Sequence, residues 1–258
     1  IPYGHTLEDE RRVFSRHDSP HRLKDFLPKG QLGHQLRQFG ILADVLAILT
    51  EQAEPAWRYE IFSGHVCADL LDYLARDTYY CGLPQRYDTR IFQMFRLSDD
   101  GQLYLDAYKH GLIRQDVLSE VVNLLRLRYF LSERVYFHHT KTASGAMISR
   151  AVEQALELGL NLHLLEELGD ETLLYCLRRD YAHPVVSKLV DHLRSHQVYK
   201  QAYVITRRVG EHRRKELVDR FHLSASQRRS AEEELIKSLR LKAGDLILYC
   251  PAFGMQLK

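Results

Sequence analysis

Residues 63–82, SGHVCADLLDYLARDTYYCG, bring two carboxylates, two tyrosines and an arginine onto one helical repeat. At about 3.6 residues per turn, Asp69, Tyr73, Arg76, Asp77 and Tyr80 share one stripe. Cys67, Leu70, Leu71, Leu74 and Thr78 share the adjoining apolar one. A stripe of this kind can grip a cation, a phosphate or a ribose. The same residues also make a solvated acidic face, with an Asp72–Arg76 pair at i, i+4 worth about a few tenths of a kcal/mol. A second group lies in RYFLSERVYFHH, where Arg128 and Tyr136 sit eight residues apart on one face of an expected helix. Arginine offers planar, multidentate donors to phosphate oxygens. A surface charge near Glu133 and an aromatic core residue are the plainer readings of those two positions. Near the start, His5 with Glu8 and His17 with Asp18 place an imidazole beside a carboxylate, which raises its pKa and suits a general acid near neutral pH. Glu8 also serves as dipole compensation at a helix start, and His17–Asp18 as a polar loop pair with His21 close by.

The elements that position these groups follow from periodicity. Thr6 caps a helix start, and Val13–Pro28 reads as a loop with short helical pieces. Gln31–Gln52 carries Leu32, Leu36, Phe39, Leu42, Val45, Leu46 and Leu49 at core-helix spacing. The 63–82 helix stops at Gly82-Leu83-Pro84. Ile91–Leu97 and Gln102–Ala107 flank Ser-Asp-Asp-Gly as a β-hairpin. A long helix is expected over 113–139, with Val117, Val121, Leu124, Leu125, Leu127 and Leu131 as its apolar side. Further helices are expected at 147–158, 171–179, 185–196, 211–221 and 226–241, and strands at Lys200–Val209 and Asp245–Cys250.

The segment ADLLDYLARD at 68–77 resembles the D-x-x-D-Y-x-x-R-D signature of HD-domain phosphohydrolases, in the branch of the deoxynucleoside triphosphate triphosphohydrolases. IPYGHTLEDE at 1–10 resembles the segment that follows the family's His-Asp dyad, and Arg128 and Tyr136 have the spacing of its phosphate-contacting arginine and pocket tyrosine. The resemblance implies that Asp69 is the final metal ligand. The remaining ligands, a His and a His-Asp dyad, are expected upstream of Ile1, so the chain reads as a fragment. It implies a divalent metal ion (Mn, Mg, Co, Ni, Fe or Zn), with His5, Glu8 and His17 catalytic. Tyr73, Asp77, Arg128 and Tyr136 would bind the nucleotide. The reaction implied splits a dNTP into deoxynucleoside and triphosphate, with a homo-oligomer and a nucleotide effector in attendance. Leu70 stands where some triphosphohydrolases place a phosphate-binding lysine, which leaves another phosphoester open. A catalytically silent, nucleotide-sensing HD module is the competing class.

Composition bounds these readings. The 258 residues, 45% hydrophobic and 27% charged, suffice for a substantial core. A net charge of +2 points to no particular partner. Cys67, Cys81, Cys176 and Cys250 form no C-x-x-C pair, which fits a reducing, cytoplasmic setting, and no apolar run is long enough for a membrane helix. Arg207-Arg208, His212–Lys215 and Arg228-Arg229 cluster, but the interleaved Glu211, Glu216 and Glu232–Glu234 suit solvated helices better than nucleic acid. The expected fold is mainly α: an HD-domain helical core with a small β-hairpin over 1–140, and a helical and mixed α+β C-terminal region over 141–258.

Overall fold

Helical periodicity translates into a mainly α structure with two short β-hairpins. The computed structural model describes Tyr3, Gly4, Thr6, Leu7 and residues 18–205 and 207–252. His5, Glu8 and His17 lie outside the described residues. The chain divides into two units, Asp18–Tyr136, and Ile1–His17 with Phe137–Lys258.

The unit Asp18–Tyr136 begins with α1 (Pro20–Phe26), α2 (Gly30–Gln38), α3 (Leu42–Leu49) and α4 (Trp57–Ser63). The core helix expected over Gln31–Gln52 is in fact α2 and α3. Gly40, at φ +69°, adopts the left-handed conformation, and the bonds Ile41 N–H to Leu36 O and Gly40 N–H to Arg37 O close α2 in a Schellman motif. The apolar stripe is broken there, and Leu32 and Phe39 end up exposed. Next comes α5 (Ala68–Tyr80), whose N-cap is Cys67: its Sγ accepts the Leu70 N–H at 3.5 Å. Ser63 and Gly64 close α4 instead of opening α5. Gly82, at φ +65°, ends α5 with the bond from Leu83 N–H to Thr78 O, as its sequence position predicted.

A 3-10 turn, Thr89–Gln93, leads into β1 (Phe95–Leu97), which pairs antiparallel with β2 (Leu103–Leu105) in the register Phe95↔Leu105. The first half of the expected strand is thus helical, because Asp88 caps it by accepting the Arg90 N–H. A second hairpin, β3 (Tyr108–Lys109) with β4 (Leu112–Ile113), was not anticipated. It precedes α6 (Gln115–Leu131), which ends in a π-helical turn at Ser132–Tyr136. The core of this unit joins Cys67, Leu70, Leu71 and Leu74 of α5 to Val117, Leu124, Leu127 and Leu131 of α6, with Ile91 and Met94 between. Each fully buried leucine there contributes roughly 1.5–3 kcal/mol. Leu125, expected on that apolar side, faces outward.

The other unit contains α7 (His139–Glu157), α8 (Asp170–Asp180), α9 (Pro184–Arg194), α10 (Glu211–Phe221) and α11 (Ala225–Ser238). Its core packs Met147, Ala151, Val152 and Ala155 of α7 against Leu173 and Leu177 of α8 and Val186, Leu189 and Val190 of α9. The strands expected at Lys200–Val209 and Asp245–Cys250 do not form: among the described residues no strand follows Ile113. Side chains hold the second segment instead. Glu232 Oε2 accepts the Leu248 N–H at 3.0 Å, and His222 Nδ1 lies 3.0 Å from Cys250 O.

Among the described residues no helix is long and apolar enough to cross a membrane.

Candidate functional site

The apolar stripe of α5 is spent on the core, so its other stripe carries any chemistry. Leu70, Leu71, Leu74 and Thr78 are all buried, with the Thr78 hydroxyl turned back onto Leu74 O at 2.6 Å. Tyr87 braces the same helix from outside by donating its hydroxyl to Leu71 O at 3.0 Å. That anchoring fixes the rotation of α5 and with it the direction of Asp69, Tyr73, Arg76 and Asp77.

Tyr136 meets this stripe from the far end of the unit. Its phenol donates to Asp77 Oδ2 at 2.5 Å, across 59 residues of sequence. Its ring stands edge-on to Tyr73, with centroids 6.2 Å apart and an interplanar angle of 68°. Eight-residue spacing places Arg128 and Tyr136 on one face of a regular helix, but the structure interposes the π turn at Ser132–Tyr136. The wider turn changes the angle at which Tyr136 leaves α6. Burial, the Asp77 hydrogen bond and the Asp77 charge all push the Tyr136 phenol well above the ordinary tyrosine range. The Tyr73 phenol is pushed up as well, mainly by burial. Arg128 lies near enough for its charge to oppose that rise, and Asp69, Cys67 and Asp77 add to it.

Tyr73, Asp77, Arg128 and Tyr136 therefore come together, and Asp69 occupies the first turn of α5 on the same stripe. Asp69 is exposed, where a carboxylate complements the N-terminal end of the helix dipole. Among the described residues, no three His, Cys, Asp or Glu side chains group as metal ligands. One exposed carboxylate is not a metal centre, and the described residues do not fit one by themselves.

Arg76 is the residue whose part the sequence understated. Its pair with Asp72 is present at 2.9 Å, as i, i+4 spacing predicts, but its Nε also reaches Asp77 Oδ1 at 3.3 Å. The signal was there in the adjacency of Arg76 and Asp77, which an i, i+4 template passes over.

The basic cluster near the C-terminus divides. Arg213 and His212 pair with Glu216 on the surface of α10, at 2.7 and 3.4 Å, as solvated helix neighbours. Arg228 does not: it is buried on α11 and pairs with Glu153 of α7 at 2.5 Å, while Arg150 of α7 pairs with Glu232 of α11 at 3.0 Å.

Residues 110–255 match the protein family described as HD associated region. The chain belongs to this family. The matched HD associated region includes Arg128 and Tyr136 and begins after α5. An uncharacterised protein of Methanocaldococcus jannaschii is 27% identical over 189 residues, covering 69% of this chain and 36% of that protein. A phosphohydrolase from Bacteroides thetaiotaomicron superposes with a TM-score of 0.60 at 22% identity, over 93% of this chain and 61% of that one. A hypothetical protein from Aquifex aeolicus superposes at 0.57 with 16% identity, over 81% of this chain and 57% of that one. The likeness to the two solved structures is one of fold. The chain spans about a third of the length of the curated relative.

Proposed function

We propose that this protein is the HD-fold part of a phosphohydrolase that acts on nucleotides, with a dNTP as substrate and deoxynucleoside plus triphosphate as products. The observation that carries the proposal is the Tyr136–Asp77 hydrogen bond beside Tyr73. Three residues named for a sugar pocket by their motif, on α5 and on the turn after α6, meet in one place. The shared fold with a phosphohydrolase supports the same reading.

Each residue has a definite task in this scheme. Arg128 holds the phosphate tail through its planar donors. Tyr73 and Tyr136 wall the sugar and leave no room for a bulky 2′ substituent, and Asp77 accepts a hydrogen bond from the 3′-hydroxyl. Water adds to the α-phosphorus as the bond to the 5′-oxygen breaks. The 5′-oxygen takes its proton from His5 or His17, with Glu8 as the acidic neighbour of His5, and the triphosphate keeps the water's oxygen. A divalent cation belongs to the proposal, with Asp69 as one of the residues that would hold it together with further ligands. A homo-oligomer in a cytoplasmic setting completes the proposal, and sedimentation velocity reads the assembly state.

Calorimetric titration of this chain with each dNTP, and with inorganic triphosphate, tests the pocket. The expected result is dNTP binding that R128A weakens for both classes of ligand and Y73A weakens for dNTPs alone. Release of triphosphate by the full natural protein with Mn²⁺, Mg²⁺ or Co²⁺ tests turnover. Binding without release in any of these metals replaces the hydrolase by the nucleotide-sensing module, and absence of dNTP binding removes both.

A further inference from the structure

Asp72, Arg76 and Asp77 meet on α5 in an arrangement of which the nucleotide reading uses only Asp77. Arg76 Nη1 lies 2.9 Å from Asp72 Oδ2, and its Nε lies 3.3 Å from Asp77 Oδ1. Asp77 Oδ2 is taken by the Tyr136 phenol at 2.5 Å. The two oxygens of Asp77 are thus divided between a guanidinium on its own helix and a hydroxyl from the π turn. Asp77 is the least exposed of the three α5 side chains, at 27% against 53% for Arg76 and 61% for Asp72. The inner carboxylate faces the aromatic pair, and the outer one anchors the arginine from behind.

We propose that Arg76 is the positioning residue of this site: braced by Asp72, it holds Asp77 as an acceptor with Oδ2 aimed at a hydroxyl. In this structure that hydroxyl is Tyr136's; in a nucleotide complex it is the sugar's. The ligand half of this statement rests on the nucleotide reading above, and the geometric half does not. Arginine is required because Nη1 and Nε engage two carboxylates at once from a planar fork, which a lysine ammonium on a flexible stem does not reproduce. Exposed ion pairs add little to stability, so the product of this one is orientation.

The sign of one measured shift separates positioning from simple charge. Tyrosine labelled with ¹³C at Cζ reports the ionisation of each phenol in the 258-residue chain, and Y136F assigns the Tyr136 signal. Removing a nearby cation by itself makes a phenol harder to ionise. Losing the aimed carboxylate makes it easier. The expected result is that Tyr136 ionises at a lower pH in R76Q than in the wild type, with an unchanged thermal midpoint. R76K, which keeps the charge and loses the fork, shifts the same way. An upward shift or no shift in both variants overturns the proposal. Binding of each 2′-deoxynucleoside by calorimetry is the second readout: R76Q weakens it about 3- to 10-fold while inorganic triphosphate binds as before, the loss expected for a misaligned hydrogen bond to a charged group. If the wild type binds no deoxynucleoside, the nucleotide reading fails and the phenol shift still decides the role of Arg76. If it binds and the phenol moves upward in R76Q, the reading survives and the positioning role is lost.

Discussion

Two polar clusters in this molecule are built from the same residue types and reach opposite ends. Between α7 and α11, Arg150 meets Glu232 and Glu153 meets Arg228, so the charges alternate in sign along both helices. The four side chains expose only 5–11% of their surface. Further bonds extend the network: Gln154 accepts from Arg150, Phe221 O accepts from Arg228, and Glu232 receives the Leu248 N–H. On α5, Arg76, Asp72 and Asp77 make contacts of similar length while remaining open to solvent. Charges sealed between helices must find every partner within the fold, because an unpaired ion there costs several kcal/mol. Charges at the rim need no such closure and can exchange a partner for a ligand. Burial therefore assigns the α7–α11 ladder to architecture, while the α5 cluster keeps the solvent access that its proposed part in recognition requires.

Substitutions that expose the difference are ordered by expected size. Glu232→Leu strands Arg150 in the interior and removes the acceptor for Leu248. Urea denaturation is expected to show a loss of about 3–5 kcal/mol, with most of it recovered in the R150M/E232L pair. A cost below about 1 kcal/mol would show that water reaches the ladder and would erase the contrast. At the α5 cluster, Y136F removes from the π turn one hydrogen bond to Asp77, a carboxylate that stays partly exposed. Its expected cost is about 1 kcal/mol by the same measurement.

A third effect appears only in alkali. The Tyr136 phenol is raised in the folded state, so above about pH 10 an ordinary unfolded tyrosine loses its proton while the folded one keeps it. The unfolded state then binds fewer protons, and stability falls as pH rises through that window. The contribution is fully present below about pH 10. Chemical denaturation at several alkaline pH values is expected to give a shallower decline for Y136F than for the wild type. Equal slopes would remove the proposed environment of Tyr136. The smallest effect belongs to D72A, about 0.5 kcal/mol or less in thermal unfolding, since the Asp72–Arg76 pair is exposed.

Much of α5 is legible in the sequence. Cys67, Leu70, Leu71, Leu74 and Thr78 were expected on one apolar stripe, and all five are buried. The stop at Gly82 and the hairpin around Ser98–Gly101 were legible for the same reason: a left-handed glycine and a tight turn are written in a few adjacent residues. Gln31–Gln52 misled because its leucines keep helical spacing across Gly40, and periodicity counts residues without seeing one at positive φ. Lys200–Ile205 and Asp245–Cys250 have strand-like composition, but a strand exists only with a partner edge, and Glu232 and His222 take up backbone groups of the second segment instead. Arg228 looked solvated because Glu232 stands four residues away on its own helix. Its actual partner, Glu153, is 75 residues distant.

The sequence by itself determined which α5 residues share a face, because 3.6-residue geometry is a property of the local backbone. That alone set Asp69, Tyr73, Arg76 and Asp77 on one stripe and the leucines on the other. Tertiary structure decided that the phenol of Tyr136 reaches Asp77 and that Arg150, Glu153, Arg228 and Glu232 are sealed. Contacts between distant residues depend on how helices rotate and dock. Those are fixed by packing summed over the whole core, which no short window of sequence contains.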